Sequence, residues 1–279
     1  MITLFSNNEY ISLYLYYLSI FYWILGITIY LLKVFNKDFN HFTSYGKLSN
    51  QNKSTSSSSS SKTTTATRND NNDKPFSIVN FLSLFYLDRC FIVTEFTLNK
   101  TILIIYLLFI IQGSRRFLET YFIQKHVYSR MNNLLFLSGL SYYLFLVLSL
   151  YFEYSVKSST TTSSLIPITV GIILFTFASF KQYQCHVILS SLRKDNNDNK
   201  HSIPYGEWFN LVSSPHYFSE LLIYFSYLLI TQFQYKSLIL CFLFTSINLI
   251  HRSMDIHQWY MGQFKYYPKN RKSIIPFIL

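Results

Sequence analysis

Apolar runs of roughly 18 or more residues recur along this chain. A helix rising about 1.5 Å per residue needs about that many to cross some 30 Å of hydrocarbon. Seven such segments are expected, near 11–32, 76–98, 101–122, 133–152, 165–184, 217–232 and 237–256. Tyr and Phe, 24 and 27 in number, crowd the ends of these runs, where amphipathic rings favour the membrane interface. Only 13% of residues are charged, against about 25% in an average soluble domain. The expected fold class is an all-α integral membrane protein of about seven transmembrane helices, multi-pass in its membrane.

The net charge of +11 would suggest a nucleic-acid partner in a soluble protein. Here the basic residues lie between apolar runs, so topology explains them and no nucleic acid is expected. With the N-terminus lumenal and the C-terminus cytosolic, the loops at 33–75, 114–132 and 181–218 and the C-terminal end hold almost every Lys and Arg. The opposite side holds only Lys100, Lys157 and Lys236. Omitting the 76–98 segment, which carries Asp88 and Arg89, would put Arg115, Arg116, Lys125 and Arg130 on the wrong side.

Three regions follow. Residues 1–48 hold the first helix and the start of a cytosolic loop. Residues 49–75 are a low-complexity Ser/Thr/Asn linker, too polar to offset its ordering entropy. Residues 76–279 form the membrane-embedded bundle. The first ten residues, MITLFSNNEY, lack Lys and Arg, and no small-residue cleavage site follows, so the first helix is expected to stay as an anchor. Cys90, Cys185 and Cys241 are isolated, without CxxC or Cys/His spacing, so neither a disulfide framework nor a metal site is expected.

Ionisable groups at membrane depth cost about 2.5–3.5 kcal/mol on insertion scales and usually face a bundle interior or a cavity. Four stretches carry them. From Thr101 to Gly113 the helix is only about 20 Å long, so it must continue through Arg115, Arg116 and Glu119; an Arg115–Glu119 pair is possible, and the two arginines could clamp an anion or merely snorkel. Gln182, His186 and Arg193 share roughly one helical face. In SIPYGEWFNLVSSPHYFSELLIY (202–224), IPYG reads as a turn with Gly206 at positive φ. Ser214 is then a good N-cap and Pro215 a good first helical residue, opening a helix whose N-terminus suits a phosphate. Glu220 follows His216 by one turn, on a face with Tyr224 and Tyr227 that should point into the bundle. In the last segment His257 and Tyr260 share a face, and Arg252 could pair with Asp255. Together these describe a pocket for a phosphate-rich cofactor above an apolar chamber. No GxGxxG or GxxxxGK[ST] is present, so a dinucleotide must bind within the bundle.

The stretches QYQCHVILSSLRK (182–194), SIPYGEWFNLVSSPHYFSELLIY and HQWYMGQFKYYPKNRKSIIPFIL (257–279) resemble the steroid 5-alpha-reductase family, nearest its polyprenol reductase branch. RRFLETYFIQKHVYS (115–129) resembles a segment shared with enoyl-CoA reductases of that superfamily. The resemblance implies an endoplasmic reticulum membrane enzyme that binds NADPH and reduces a C=C bond. It also implies cofactor-binding roles for Gln182, His186, Arg193, His201, His216, Arg116 and Arg271. His257, Tyr260, Glu220 and Tyr217 fall at the reacting end, as candidates for the group that polarises the substrate or orients the nicotinamide. The steroid enzymes hold a ketone with a Glu/Tyr pair from the second and third helices. Here the third reads QGSRR, and Tyr86, Asp88 and Glu95 of the second offer no clear match.

Hydride adds to a C=C conjugated with a carbonyl, not to an allylic alcohol, because only the former accepts the developing charge. The expected substrate is therefore a long-chain polyprenal, on the net path from polyprenol to dolichol for protein N-glycosylation. A steroid or enoyl-CoA reductase, a prenylcysteine-type methyltransferase and a non-catalytic lipid-binding scaffold remain alternatives. Chain-length preference and oligomeric state are not encoded legibly.

Overall fold

Every backbone N–H and C=O in lipid must be satisfied internally, and uninterrupted apolar runs therefore become helices. The computed structural model describes residues 2–35, 100–123, 133–157, 164–192 and 202–279. Six α-helices fill most of them: α1 Ile2–Phe35, α2 Lys100–Leu118, α3 Asn133–Val156, α4 Leu165–Ser191, α5 Pro215–Ile230 and α6 Lys236–Gln263. Among the described residues there is no strand, only one parallel bridge between Val212 and Lys272. The linker at 49–75 and the segment at 76–98, with Asp88 and Arg89, lie outside the described residues, as do Arg193 and His201.

Five stretches are long and apolar enough to cross a membrane: Tyr10–Leu32, Lys100–Ile123, Phe136–Val156, Leu165–Ser191 and Lys236–Gln263. Only 11% to 33% of each is buried within the protein. The rest of their surface is apolar and outward, as at Leu165, Ile173 and Phe180, which suits lipid rather than water. α5 has 16 residues, about 24 Å of helix, and falls short of the same length. Its inner face (Leu221, Ile223, Tyr224, Tyr227, Leu228, Ile230) is buried.

α4 and α5 lie against each other closely because Gly171 has no side chain. A Cβ there would stand 2.4 Å from Ile230 Cγ1 and 3.0 Å from the Ser226 carbonyl oxygen. Small residues at a helix crossing are how membrane helices gain dispersion contact without a hydrophobic drive. α1 packs on α3 and α6: Trp23 is buried and donates to Ser149 Oγ at 3.3 Å, and Tyr22 stacks on Phe145 at 3.9 Å. Tyr30 OH donates to the Asn248 carbonyl at 3.3 Å, and Trp23 meets Phe244 while Tyr30 meets His251, so α1 runs parallel to α6. α2 runs parallel to α4, with Gln112 beside Gln182 and Arg116 beside His186. α5 is antiparallel to both α4 and α6, since Gly171 meets Ile230 whereas His186 meets His216, and Phe225 meets Phe242 whereas Tyr217 meets Arg252. The C-terminal ends of α1, α2, α4 and α6 therefore share one face with the start of α5. The end of α1 and the start of α2 lie on opposite faces.

At the other face a buried carboxylate does a cap's work. Glu153 of α3, 5% exposed, accepts from the backbone N–H groups of Lys236 at 2.7 Å and Ser237 at 2.8 Å. Those are free donors of the first turn of α6, at the positive end of its dipole. Lys157 Nζ donates to the Gln234 carbonyl at 2.6 Å beside it. Glu153→Ala strips both donors of their partner at a buried site. It should lower stability by about 2–4 kcal/mol, read as an earlier unfolding midpoint in a denaturing-detergent titration. A midpoint equal to wild type would mean the cap is not held in the folded protein.

Candidate active site

The shared face carries two polar clusters, joined by the first turn of α5. The first is built on α2. Its helix continues past Gly113 as the sequence required, and its last turn widens into a π-helical turn at Glu119–Ile123. Such turns re-aim side chains and recur at functional sites. Glu119, 2% exposed, is the centre. It accepts from Arg115, and from Arg116 Nη1 at 2.8 Å. His186 Nδ1 lies 2.7 Å from Glu119 Oε2 and 2.6 Å from Arg116 Nη1. Arg115 also donates to Gln182, and to Gln112 Oε1 at 2.8 Å. Gln182 in turn donates to Glu220 Oε2. One chain of contacts thus runs from His186 through Glu119, Arg115 and Gln182 to Glu220, across α4, α2 and α5.

Below this chain lies a cavity of about 60 Å³, several times the space one water molecule requires. Phe109, Leu146 and Val147 give it apolar walls, while Arg116, Tyr143 and Glu220 reach it as polar groups. Tyr224 and Tyr227 line it too, as the face shared with Glu220 implied.

The second cluster joins the loop before α5 to the C-terminal segment. Gly206 takes φ +97°, as the turn required, and Trp208 packs on Phe177 at 5.8 Å while Glu207 pairs with Lys181 at 2.8 Å. The C-terminal segment then runs alongside: Ser213 N donates to Lys272 O at 2.8 Å and Ser214 N to Ser273 O at 3.1 Å. Ser213 Oγ sits 2.6 Å from His257 Nδ1 and 2.7 Å from Tyr267 OH. Tyr260 stacks on Tyr267 at 5.4 Å, with planes 8° apart. His257 also lies 5.8 Å from the Tyr267 ring, so His257 and Tyr260 share a face and a partner.

Several buried donors in this cluster lack partners. Arg271 is 3% exposed, its guanidinium 4.7 Å from the Tyr205 ring and 5.3 Å from that of Tyr267, yet its Nε and Nη1 have no hydrogen-bond partner. Ser214 Oγ, Ser273 Oγ and His216 Nδ1 are likewise buried without one. Ser214 occupies the N-cap position and Pro215 the first turn, as expected, but the Ser214 hydroxyl makes no cap bond; its carbonyl accepts from Tyr217 N instead, at 3.1 Å. Each unmet buried polar group costs about 1–3 kcal/mol. A cation, two hydroxyls, a ring nitrogen and a helix N-terminus together suit an anionic group.

Of the residues singled out from sequence, Gln182, His186, Arg116 and Glu220 come together in the first cluster, and His257, Tyr260 and Arg271 in the second. His216 bridges them: its ring lies 5.9 Å from His186, and its carbonyl accepts from Gln182 at 3.4 Å. Tyr217 OH accepts from Arg252 Nε at 2.7 Å, and Asp255 meets His251 at 3.3 Å. Gln112, Tyr143, Ser213 and Tyr267 escaped sequence reasoning as site residues. Glu119 pairs with Arg115 as its spacing allowed, but its place at the centre of the cluster was not legible.

Residues 127–279 match the model of the family described as 3-oxo-5-alpha-steroid 4-dehydrogenase. Polyprenal reductase 2 of Oryza sativa subsp. japonica is 33% identical over 202 residues, which cover 62% of this chain and 57% of that protein. Polyprenal reductase of Caenorhabditis elegans is 31% identical over 206 residues, covering 69% and 65%. That of Homo sapiens is 38% identical over 115 residues, covering 39% and 36%. The matched stretches span from 31% to 65% of the length of the curated relatives.

Proposed function

The chain belongs to the 3-oxo-5-alpha-steroid 4-dehydrogenase family, and from that premise we propose that it reduces the C=C bond conjugated to the carbonyl of a polyprenal, with NADPH as reductant. The product feeds dolichol, dolichol-phosphate and protein N-glycosylation. The observation that carries the reading is the set of unpartnered buried donors at the start of α5, a few turns from an apolar-walled cavity. The choice of substrate within the family follows the matched relatives, which are named polyprenal reductases.

NADPH bound at this face supplies the hydride. Arg271, Ser214, Ser273 and the α5 N-terminus hold its phosphates, with Arg193 and His201 as further candidates. Arg116, Gln182, His186 and His216 serve it from the first cluster. Glu220, fixed by Gln182, borders the reacting end. His257, held by Ser213, and Tyr260, stacked on Tyr267, keep the adjoining wall rigid and polar, and Tyr217 ties that wall to α6 through Arg252. The apolar wall of Phe109, Leu146 and Val147 takes the first isoprene unit of the conjugated aldehyde. The protein is read as a seven-span component of the endoplasmic reticulum membrane, N-terminus lumenal and C-terminus cytosolic, the opposite positions of the α1 end and the α2 start supporting that count.

The test uses the chain purified in detergent with NADPH. Polyprenal, polyprenol, a 3-oxo-4-ene steroid and a trans-2-enoyl-CoA are supplied separately, and a gain of two hydrogens is followed by mass spectrometry. Polyprenal alone should be reduced. Turnover of polyprenol itself, or of the steroid in preference, would overturn the substrate assignment.

A further inference from the structure

We propose that Tyr143 of α3 is the hydrogen-bond donor to the substrate's carbonyl oxygen, an assignment that rests on the reductase reading above. A carbonyl oxygen only accepts, so its partner must be a donor with capacity to spare. The polar groups of the cavity can be taken in turn. Glu220 as a carboxylate only accepts, and it already holds Gln182. The Gln112 amide is held from both ends, its nitrogen donating to Gln182 at 3.3 Å and its oxygen accepting from Arg115 at 2.8 Å. Arg116 holds Glu119 and His186 through Nη1, and its charge is already matched by the Glu119 carboxylate. Tyr224 engages Tyr142, whose hydroxyl also meets Thr245 Oγ1 at 2.8 Å. Tyr227 is 2% exposed and wedged edge-on against Phe109 at 4.7 Å, a packed core ring. Tyr143 is half-buried, lines the cavity, and has no hydrogen bond for its hydroxyl.

A phenol is also the right chemistry. It is neutral at physiological pH, with an ordinary pKa of about 10, and in an apolar cavity its O–H dipole is worth more than in water. Reduction draws the C=C electron pair towards the carbonyl oxygen as hydride arrives at the β-carbon from the reduced dinucleotide. The α-carbon then takes a proton from water. Tyr143 ends the cycle with the proton it began with. Its task is to hold the developing negative charge on oxygen.

The experiment compares wild type, Tyr143→Phe and Tyr227→Phe, each in detergent. A short isoprenoid enal with a 13C carbonyl is bound together with NADP+, which cannot reduce it, and the carbonyl stretch is read by infrared difference spectroscopy. NADPH affinity and turnover of polyprenal are measured in parallel. Wild type and Tyr227→Phe should share a carbonyl band displaced to lower frequency. Tyr143→Phe should lose that displacement and about 10²–10³-fold in kcat, with NADPH affinity unchanged. A retained band and turnover within twofold of wild type in Tyr143→Phe would overturn the assignment, as would loss of both in Tyr227→Phe alone. Wild-type protein that binds NADPH and leaves polyprenal unreduced would overturn the reductase reading, and with it this one.

Discussion

Replacing Glu119 with alanine is expected to destabilise the protein by about 3–5 kcal/mol, the usual result of removing one partner from a buried ion pair. The carboxylate is 2% exposed and contacts Arg115, Arg116 and His186 at once. Without it two neighbouring guanidinium groups lose the carboxylate they share, and only Glu220, reached through Gln182, remains near Arg115. Glu119→Gln keeps the shape and one acceptor, so it should fall between. Titration of the purified protein with denaturing detergent reads both. Because Arg116 also lines the cavity, reductase activity should fall even in the surviving folded fraction. Removing His186 as well should add less than its single effect, since both act through one network. A Glu119→Ala midpoint equal to wild type would mean that the cluster is solvated, not a buried keystone of α2 and α4.

The second large effect belongs to Arg271. Arg271→Ala should weaken NADPH binding by about 10–150-fold, the equivalent of losing charge-assisted hydrogen bonds worth about 1.5–3 kcal/mol. On the proposed assignment to the cofactor's phosphates, the loss should shrink as salt is raised. Arg271→Lys should recover part of the affinity but not all, having a point charge in place of a planar fork. Ser214→Ala, which removes a buried hydroxyl with no partner, should weaken binding without lowering stability. A dissociation constant within twofold of wild type in Arg271→Ala would leave its stacking on Tyr205 and Tyr267 as its whole role.

Membrane insertion is close to a one-dimensional property, which is why the helices were legible. The segments expected near 11–32, 101–122, 133–152, 165–184, 217–232 and 237–256 all fall on α1 to α6. Local backbone rules were equally readable: Gly206 adopts positive φ, and Pro215 opens α5. The passage of α2 beyond Gly113 followed from length alone.

Partner choice is a different matter. Spacing could not point Arg252 to Tyr217, 35 residues away in sequence, where helix rotation brings its Nε. Ser214 has the chemistry of a cap, but the C-terminal segment pairs with its backbone and its hydroxyl is left for another use. Glu119 finds His186 at a separation of 67 residues, and Glu153 finds the start of α6 at 83 and 84. The sequence by itself thus determined which apolar runs become helices, where the chain turns around Gly206, and which polar groups lie at the helix ends. Only the tertiary structure decided which of those groups meet. Hydropathy and capping act within a few turns of one helix, whereas a contact between helices depends on the rotation and depth of both, set by packing such as the close approach at Gly171.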